Sequence, residues 1–346
     1  MEEEKYMRRC ISLARNGLCN TSPNPMVGAV IVCDGLIIGE GYHARFGEAH
    51  AEVNAIRSVK EPALLKRSTI YVSLEPCTHH GKTPPCADLI IEKKIPRVVI
   101  GCEDPFAAVA GRGIERLRNA GCEVVVGVLE EACKGLIRSF ITFHACKRPY
   151  ITLKWAESAD GFIDKERTDG HPALLSTPLT SMLVHKRRAE SDAILVGTRT
   201  ARLDNPSLTV RNWYGHNPTR VVIDKKRTLS PTLHLFDGSV PTIVFTTQHY
   251  PNSHHIEYIT LTDETNMVNQ MLTALYKRNI QSLLVEGGSQ LLQSFINAGV
   301  WDEAFVELSA IKLSTGVKAP RIRDKVHAPT NACFGVEIEH YINRKA

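Results

Sequence analysis

The chain has 346 residues, 43% hydrophobic and 23% charged, with a formal net charge of +5. That length exceeds one ordinary core, so two domains are expected, and no apolar stretch reaches the ~20 residues of a membrane-spanning helix. Lys and Arg number 19 against 17 carboxylates over residues 1–147 and 23 against 20 over the rest, an even spread that lacks the dense cationic stripe nucleic acid calls for.

The acidic start, Met1-Glu2-Glu3-Glu4-Lys5, is unlike a secretory signal. It runs into a helical stripe over residues 3–16, with apolar Tyr6, Met7, Cys10, Ile11 and Ala14 on one side. Strands over 27–33 and 36–41 flank Asp34-Gly35, a two-residue hairpin turn. A helix over 50–59 puts His50 and Glu52 in its first turn, where unpaired amides and the helix dipole favour a metal-bound anion. Strand Thr69–Leu74, a loop with Cys77, a helix over 86–93 and a buried strand over 97–101 follow. A helix over 113–119, a strand over 123–128 and a helix over 129–143 complete this half. Such a βαβ rhythm predicts a layered α/β domain.

The pattern changes near Lys147-Arg148, with Pro149 and Pro172 beyond it, so domains of 1–147 and 148–346 are expected. The second half restarts with a strand over 150–155 and a loop containing Ser158-Ala159-Asp160-Gly161. A helix over 178–190 and strands at Ala193–Val196, 219–224, Thr242–Thr246 and 282–286 come next. Gly287-Gly288 then opens a helix at Ser289–Ala298, a backbone arrangement suited to close approach of a phosphate. By itself that is a weak signal, since strand-to-helix turns use glycine routinely. Ten cysteines scattered singly read as cytosolic thiols, so a cytoplasmic protein is expected.

One constellation carries specific chemistry: His50-Ala51-Glu52, then Pro76-Cys77, eight intervening residues, and Cys86. An imidazole and two thiols are zinc ligands, and three of them leave open the fourth position that a catalytic zinc uses for water. Glu52 lies two residues past His50, near enough to serve that water without binding the metal, which suits a proton shuttle to a departing amine. A closed structural zinc is the plainer alternative and needs a fourth ligand, for which His79 and His80 are candidates.

With these motifs placed, the chain resembles the bifunctional riboflavin-biosynthesis deaminase–reductases, the RibD/RibG family. The first half of the resemblance rests on Ser22-Pro23-Asn24-Pro25-Met26-Val27-Gly28, Gly39-Glu40-Gly41-Tyr42-His43, His50-Ala51-Glu52 and the stretch from Leu74-Glu75-Pro76-Cys77 to Pro84-Pro85-Cys86. Asp104-Pro105 and Ala110-Gly111-Arg112-Gly113 extend it. The second half rests on Pro149-Tyr150-Ile151-Thr152-Leu153-Lys154, Ser158-Ala159-Asp160-Gly161, the run from Gly197-Thr198-Arg199 to Thr209-Val210-Arg211, and Val285-Glu286-Gly287-Gly288. The resemblance implies an N-terminal cytidine-deaminase-like α/β/α layered domain and a C-terminal dihydrofolate-reductase-like α/β domain. It also implies one zinc per chain and NADPH as cofactors.

The implied roles follow the matching positions. In the deaminase, Asn24, His43, Lys82 and Asp104 are the implied substrate contacts, with Lys82 a point charge for the ribose phosphate. Taken singly they also read as a turn asparagine, a structural histidine, a solvated lysine and a turn cap. In the reductase, Lys154 polarises or protonates the opening sugar, and Arg188, Leu208, Arg211 and Glu286 contact substrate. The charge run Lys186-Arg187-Arg188 leaves open a solvated helix face for Arg188. Ala156, Leu174, Thr200, Asp204, Gly287, Gly288 and Ser289 are the implied cofactor contacts. Two stretches depart from the family. Phe106-Ala107 follows Pro105 in place of Asn-Pro, so one polar contact to the deaminase substrate is missing or supplied elsewhere. Pro172-Ala173-Leu174-Leu175-Ser176-Thr177 replaces a Ser-x-Trp-Ile-Thr-Ser stretch, with Leu174 at the aromatic position.

The expected function is therefore two steps on one riboflavin precursor. A phosphoribosylated diaminopyrimidinone loses an amino group as ammonia, and NADPH then reduces its ribosyl group to ribityl. No nucleic-acid or membrane partner is expected, and a homo-oligomer, dimer or tetramer, is. A nucleic-acid base deaminase with an added RNA-recognition domain would need a concentrated basic groove. A non-catalytic zinc-stabilised binding protein would have no use for Glu52.

Overall fold

The hairpin expected at Asp34-Gly35 forms with φ of 51° and 76° at its two turn residues, the positive pair that matches strand twist in a two-residue loop. The computed structural model describes residues 2–78, 84–105, 110–167, 170–323, 326–327, 331–333 and 335–343. It divides into two compact units, Met1–Lys147 and Arg148–Ala346.

In the first unit the hairpin joins β1 (Gly28–Cys33) to β2 (Leu36–Tyr42), and the sheet continues with β3 (Thr69–Leu74), β4 (Arg97–Cys102) and β5 (Glu123–Val126). The order is β2-β1-β3-β4-β5, antiparallel through β3 and parallel from β3 to β5. Alternate residues of β1, β3 and β4 bury on opposite faces, so both faces need cover. Tyr6, Met7, Cys10 and Ile11 of α1 (Glu2–Ala14) pack against Val30, Tyr71 and Val99 on one face. Helices α2 (Ala51–Ser58), α3 (Cys86–Glu92) and α4 (Arg112–Asn119) cover the other through Ala51, Ala55, Ile90, Ile114 and Leu117. The result is an α/β/α sandwich. Gly41 sets how closely α2 sits on β2, because a Cβ there would stand 2.3 Å from the Ala55 backbone nitrogen and 2.5 Å from the Ala51 carbonyl oxygen. That contact fixes the helix that begins beside His50.

The single helix expected over 129–143 is two: α5 (Glu130–Leu136) and α6 (Arg138–Cys146). Ile137 breaks the run with φ −111° and ψ 23° and is buried on the α1 side of the sheet. Tertiary burial there overrides a helical register that Gly135 already weakens. The strand expected to reach residue 128 ends at Val126.

The second unit opens with β6 (Tyr150–Glu157), β7 (Phe162–Asp164), α7 (Pro178–Ala189), β8 (Ala193–Val196) and α8 (Thr198–Asp204). Next come β9 (Thr219–Ile223), β10 (Thr242–Thr246), β11 (Ile256–Thr260), α9 (Met267–Tyr276), β12 (Ser282–Val285) and α10 (Ser289–Ala298). It ends with β13 (Glu303–Leu308), β14 (Val317–Lys318), β15 (Val326–His327), β16 (Asn331–Cys333) and β17 (Val336–Ile342). The large sheet runs β11-β10-β9-β8-β12-β6-β13-β17-β15, with β16 on β17. All strands from β11 to β13 are parallel, and β17 is antiparallel.

The chain lays β8 to β11 outward on one side, then returns to insert β12 between β8 and β6 before placing β13 beyond β6. Connections thus diverge around β12 and β6, and the crevice outside their carboxyl ends is where open parallel sheets bind ligands. Ile151, Leu153 and Trp155 of β6 enter the apolar core that α9 and α10 cover, which turns Thr152, Lys154 and Ala156 to the opposite face. Among the described residues, no helix is long and apolar enough to cross a membrane.

Candidate active sites

His50 is the cap residue before α2 (φ −71°, ψ 167°), one position ahead of the first turn where it was expected, while Glu52 is the second helical residue. Strand β3 ends at Leu74 and delivers Cys77 through a short loop; Cys86 is the first residue of α3. Strand end and two helix starts converge there. His50 Nδ1 lies 3.6 Å from Cys77 Sγ and 3.4 Å from Cys86 Sγ, and the three ligand atoms all fall within 4.8 Å of one another. Zinc at ~2.0 Å from nitrogen and ~2.3 Å from sulfur in a tetrahedron has ligand separations of roughly 3.5–3.8 Å, so this donor set fits. The backbone N–H of Cys86 donates to Cys77 Sγ at 3.4 Å, and with the Cys86 thiol and His50 it holds the Cys77 thiol well below its usual range. Glu52 is 3% exposed, and burial, aided by the negative Cys77 sulfur, pushes its carboxyl up to about 7. A group balanced at that value both takes and gives protons near neutrality.

Beside the ligands, His43 is buried edge-on to His50, ring centroids 5.4 Å apart. Its Nδ1 faces the Ala49 carbonyl at 3.1 Å and its Nε2 the Asn24 side-chain nitrogen at 3.2 Å. A carbonyl only accepts, so the proton sits on Nδ1 and Nε2 accepts from Asn24. Burial lowers the His43 pKa and keeps that neutral form. The pairing leaves Oδ1 as the acceptor of the half-buried Asn24 amide, and makes His43 its holder. Lys82, His79, His80, Phe106 and Ala107 lie outside the described residues.

Sequence reasoning missed Glu75. Its buried carboxylate accepts four backbone N–H groups: Asp104 at 3.1 Å and Gly111 at 3.0 Å on Oε2, Gly113 at 2.8 Å and Ile114 at 3.2 Å on Oε1. One side chain thereby ties Asp104 and the start of α4 to the residue two before Cys77. Each of these amides, left orphaned, would cost about 1–3 kcal/mol. The place of Glu75 in Leu74-Glu75-Pro76-Cys77 was the only signal that could have found it.

In the second unit Glu286, Gly287, Gly288 and Ser289 follow the carboxyl end of β12, and Thr200 follows that of β8. Arg188 and Glu286 form a two-pronged pair, Nε to Oε1 at 3.0 Å and a terminal guanidinium nitrogen to Oε2 at 2.7 Å. Arg188 also donates to the Thr209 carbonyl at 3.3 Å, so the solvated-face reading does not hold. The exposed Arg211 is anchored by its backbone N–H to His185 Nδ1 at 3.1 Å and by its guanidinium to Thr209 Oγ1 at 3.0 Å. Leu208 is 2% exposed at φ +53°, and its side chain packs in the core with Ile194, Val196 and Val222. Any ligand contact there falls to its backbone.

Gly288 takes φ +53° just before α10, and a Cβ on it would stand 3.3 Å from Thr200 Oγ1. Gly287 packs so closely that its Cβ would be 3.0 Å from the Val196 Cα. With Ser289 opening α10, this bare backbone beside Thr200 is a cradle that fits a cofactor phosphate. Asp204, at the end of α8, is held by Arg167 at 2.5 Å, and Arg167 also binds Asp164 at 2.6 Å. Lys154 stands on β6 with its Nζ 3.7 Å from Glu307 Oε2, and half-buried Ala156 follows two residues later. Burial lowers the Lys154 pKa. Leu174 is 80% exposed, so its side chain lines no pocket wall here.

Known proteins fit both halves. The pattern of the cytidine and deoxycytidylate deaminase zinc-binding region matches residues 1–102, and that of the RibD C-terminal domain matches residues 149–325. The riboflavin biosynthesis protein RibD of Bacillus amyloliquefaciens is 40% identical over 329 residues, covering 92% of this chain and 87% of that protein. That of Aquifex aeolicus is 38% identical over 321 residues, 91% of this chain and 89% of its own. The crystal structure of a diaminohydroxyphosphoribosylaminopyrimidine deaminase/5-amino-6-(5-phosphoribosylamino)uracil reductase from Thermotoga maritima superposes with a TM-score of 0.90 at 39% identity, covering 99% of each chain.

Proposed function

The chain belongs to the RibD family of bifunctional riboflavin-biosynthesis enzymes, and from that premise we propose that residues 1–147 form its deaminase and 148–346 its reductase, with the side chains described above as their working groups. The enzyme hydrolyses the 2-amino group of 2,5-diamino-6-(5-phosphoribosylamino)pyrimidin-4(3H)-one, releasing ammonia. It then reduces the ribosyl group of 5-amino-6-(5-phosphoribosylamino)uracil to ribityl.

The observation that carries the reading is the convergence of His50, Cys77 and Cys86 beside a buried Glu52. His50, Cys77 and Cys86 would hold zinc, which when bound would supply Lewis-acid activation of water at neutral pH. Glu52 takes a proton from the attacking water and gives one to the departing amine, which leaves as ammonia. Asn24, oriented by His43, offers its amide oxygen to the pyrimidine edge, and Asp104, its backbone held by Glu75, is assigned a further substrate contact. Lys82 is assigned the phosphate.

Thr200, Gly287, Gly288 and Ser289 would receive the phosphate of NADPH and Asp204 its ribose hydroxyls, and the bound cofactor would supply the hydride for the second step. Ala156 is the proposed neighbour of its nicotinamide end, a place the exposed Leu174 does not share. Lys154 Nζ holds the proton that the opening sugar oxygen takes up. Arg211 binds the substrate phosphate, Leu208 offers backbone, and the Arg188–Glu286 pair frames the sugar. The substrate is a small molecule. We assign the enzyme to the cytoplasm, as a homo-oligomer that uses no nucleic acid.

Separating the chain after Lys147 tests the division. Each unit has its own sheet and core, so the 1–147 fragment should fold and release ammonia without NADPH, and the 148–346 fragment should oxidise NADPH with deaminated substrate. Two fragments that both fail to fold, by circular dichroism, would refute this boundary.

A further inference from the structure

Glu307 has no place in the roles given so far, yet it is the most enclosed charge beside Lys154. It lies on β13 in register with Ala156 of β6, is 2% exposed, and projects to the face that Lys154 occupies. Its Oε1 accepts the Thr180 hydroxyl at 2.6 Å, and its Oε2 accepts the Ser176 hydroxyl at 2.8 Å and faces Lys154 Nζ at 3.7 Å. Thr180 is fixed in turn, because it forms a reciprocal capping box with Thr177 at the start of α7. Two hydroxyls from one helix start and one ammonium from a strand therefore meet on a single buried carboxylate. An ionised carboxylate out of water persists only with donors and a counter-charge, and here Lys154 is that counter-charge.

The same logic runs in reverse for Lys154. Burial opposes its ammonium, and of the charges that face it, Glu307 on β13 and Glu286 just past β12 favour protonation while Arg188 and Arg187 on α7 oppose it. Glu286 is engaged by both prongs of Arg188. Glu307, with neutral hydroxyls as its other partners, is the carboxylate whose charge is directed at Lys154. Ser176 and Thr177 end the stretch that departs from the family pattern, so the Ser176 bond also ties that stretch to the lysine.

We propose that Glu307 is a positioning residue of the reductase, aiming the Lys154 ammonium at the sugar and keeping it protonated. This rests on the reading of Lys154 as the proton-holding group. The test uses the full-length zinc-loaded enzyme with deaminated substrate, and follows the kcat of NADPH oxidation across pH. In Glu307→Gln, burial of the lysine is less opposed, so the alkaline limb of kcat should move down by about one pH unit or more. Below that limb kcat should recover to within several-fold of the parent, and ammonia release should be unchanged. A limb that stays put, or a loss equal at every pH, would overturn the proposal. Should Glu307→Gln fail to fold, Glu307→Asp keeps the charge on a shorter arm, and its limb should shift the same way by less; no shift overturns the proposal equally. Lys154→Met separates the premise: if it still oxidises NADPH at the parent rate, the lysine reading falls, whatever Glu307 does.

Discussion

Glu52→Gln is expected to cut ammonia release by ~10²-fold or more, the range that positioned proton transfer contributes, while the protein keeps its zinc. Glutamine fills the same volume at this 3%-exposed position and places an amide where the carboxyl stood. Packing and the three ligands are thus preserved; only the ability to take and give a proton is lost. The parent carboxyl, pushed up to about 7 by burial, loses or gains its proton at little cost, whereas an amide does neither. Metal content, ammonia release and NADPH oxidation with pre-deaminated substrate distinguish the outcomes. Zinc and NADPH oxidation should stay at parent levels, since Glu52 belongs to the first unit. Turnover near the parent rate would show that another group moves the protons.

Cys86→Ser should be more drastic, removing both deamination and most of the zinc. Cys86 is fully buried at the start of α3, 3.4 Å from His50 Nδ1, and its backbone N–H supports the Cys77 sulfur. A serine hydroxyl does not ionise in that setting and is a poor ligand for a borderline-soft cation. Two good ligands then remain where three are needed. Cys77→Ser should behave alike, with the added loss of the thiolate that Cys86 and His50 stabilise. Metal analysis after dialysis against a chelator reads the effect directly; full deamination by a rigorously zinc-free parent protein would contradict it.

Where chemistry is local, it was legible. The ligand spacing around His50, Cys77 and Cys86 required only that a strand end and two helix starts converge, and β3 and α10 fall on the bounds that periodicity and flanking turn residues implied. Several missing elements have sequences that are ambiguous until packed, although α9 (Met267–Tyr276), also missed, carries an apolar stripe of Met271, Leu272 and Leu275. Strand β13, Glu-Ala-Phe-Val-Glu-Leu, has two carboxylates that argue against a buried strand. Thr152 and His340 beside Glu303, and Lys154, Ser176 and Thr180 beside Glu307, help make that burial tolerable. Helix α8, Thr-Arg-Thr-Ala-Arg-Leu-Asp, buries only Ala201 and shows no stripe. Strands β11 and β17 are half-buried and polar along much of their length.

The same reason hid half of the sites' support. Glu75 finds partners 29 to 39 residues away and all on the backbone, a pattern no side-chain spacing encodes. Arg188 sits in a run of three charges that reads as solvated, and its partner Glu286 is 98 residues distant. Leu208 matched a family position, but its core packing and positive φ emerge only when α8 and the strands beneath it are in place.

The most direct measurement follows ammonia and NADPH together, using the zinc-loaded full-length enzyme and the diaminopyrimidinone phosphoribosyl substrate. Without NADPH, ammonia should appear and the deaminated compound accumulate. On adding NADPH, one equivalent should be oxidised per ammonia released, with a lag while the deaminated compound builds up if both are added together. Ammonia release with no NADPH oxidation, even with authentic deaminated substrate, would contradict two working sites on one chain.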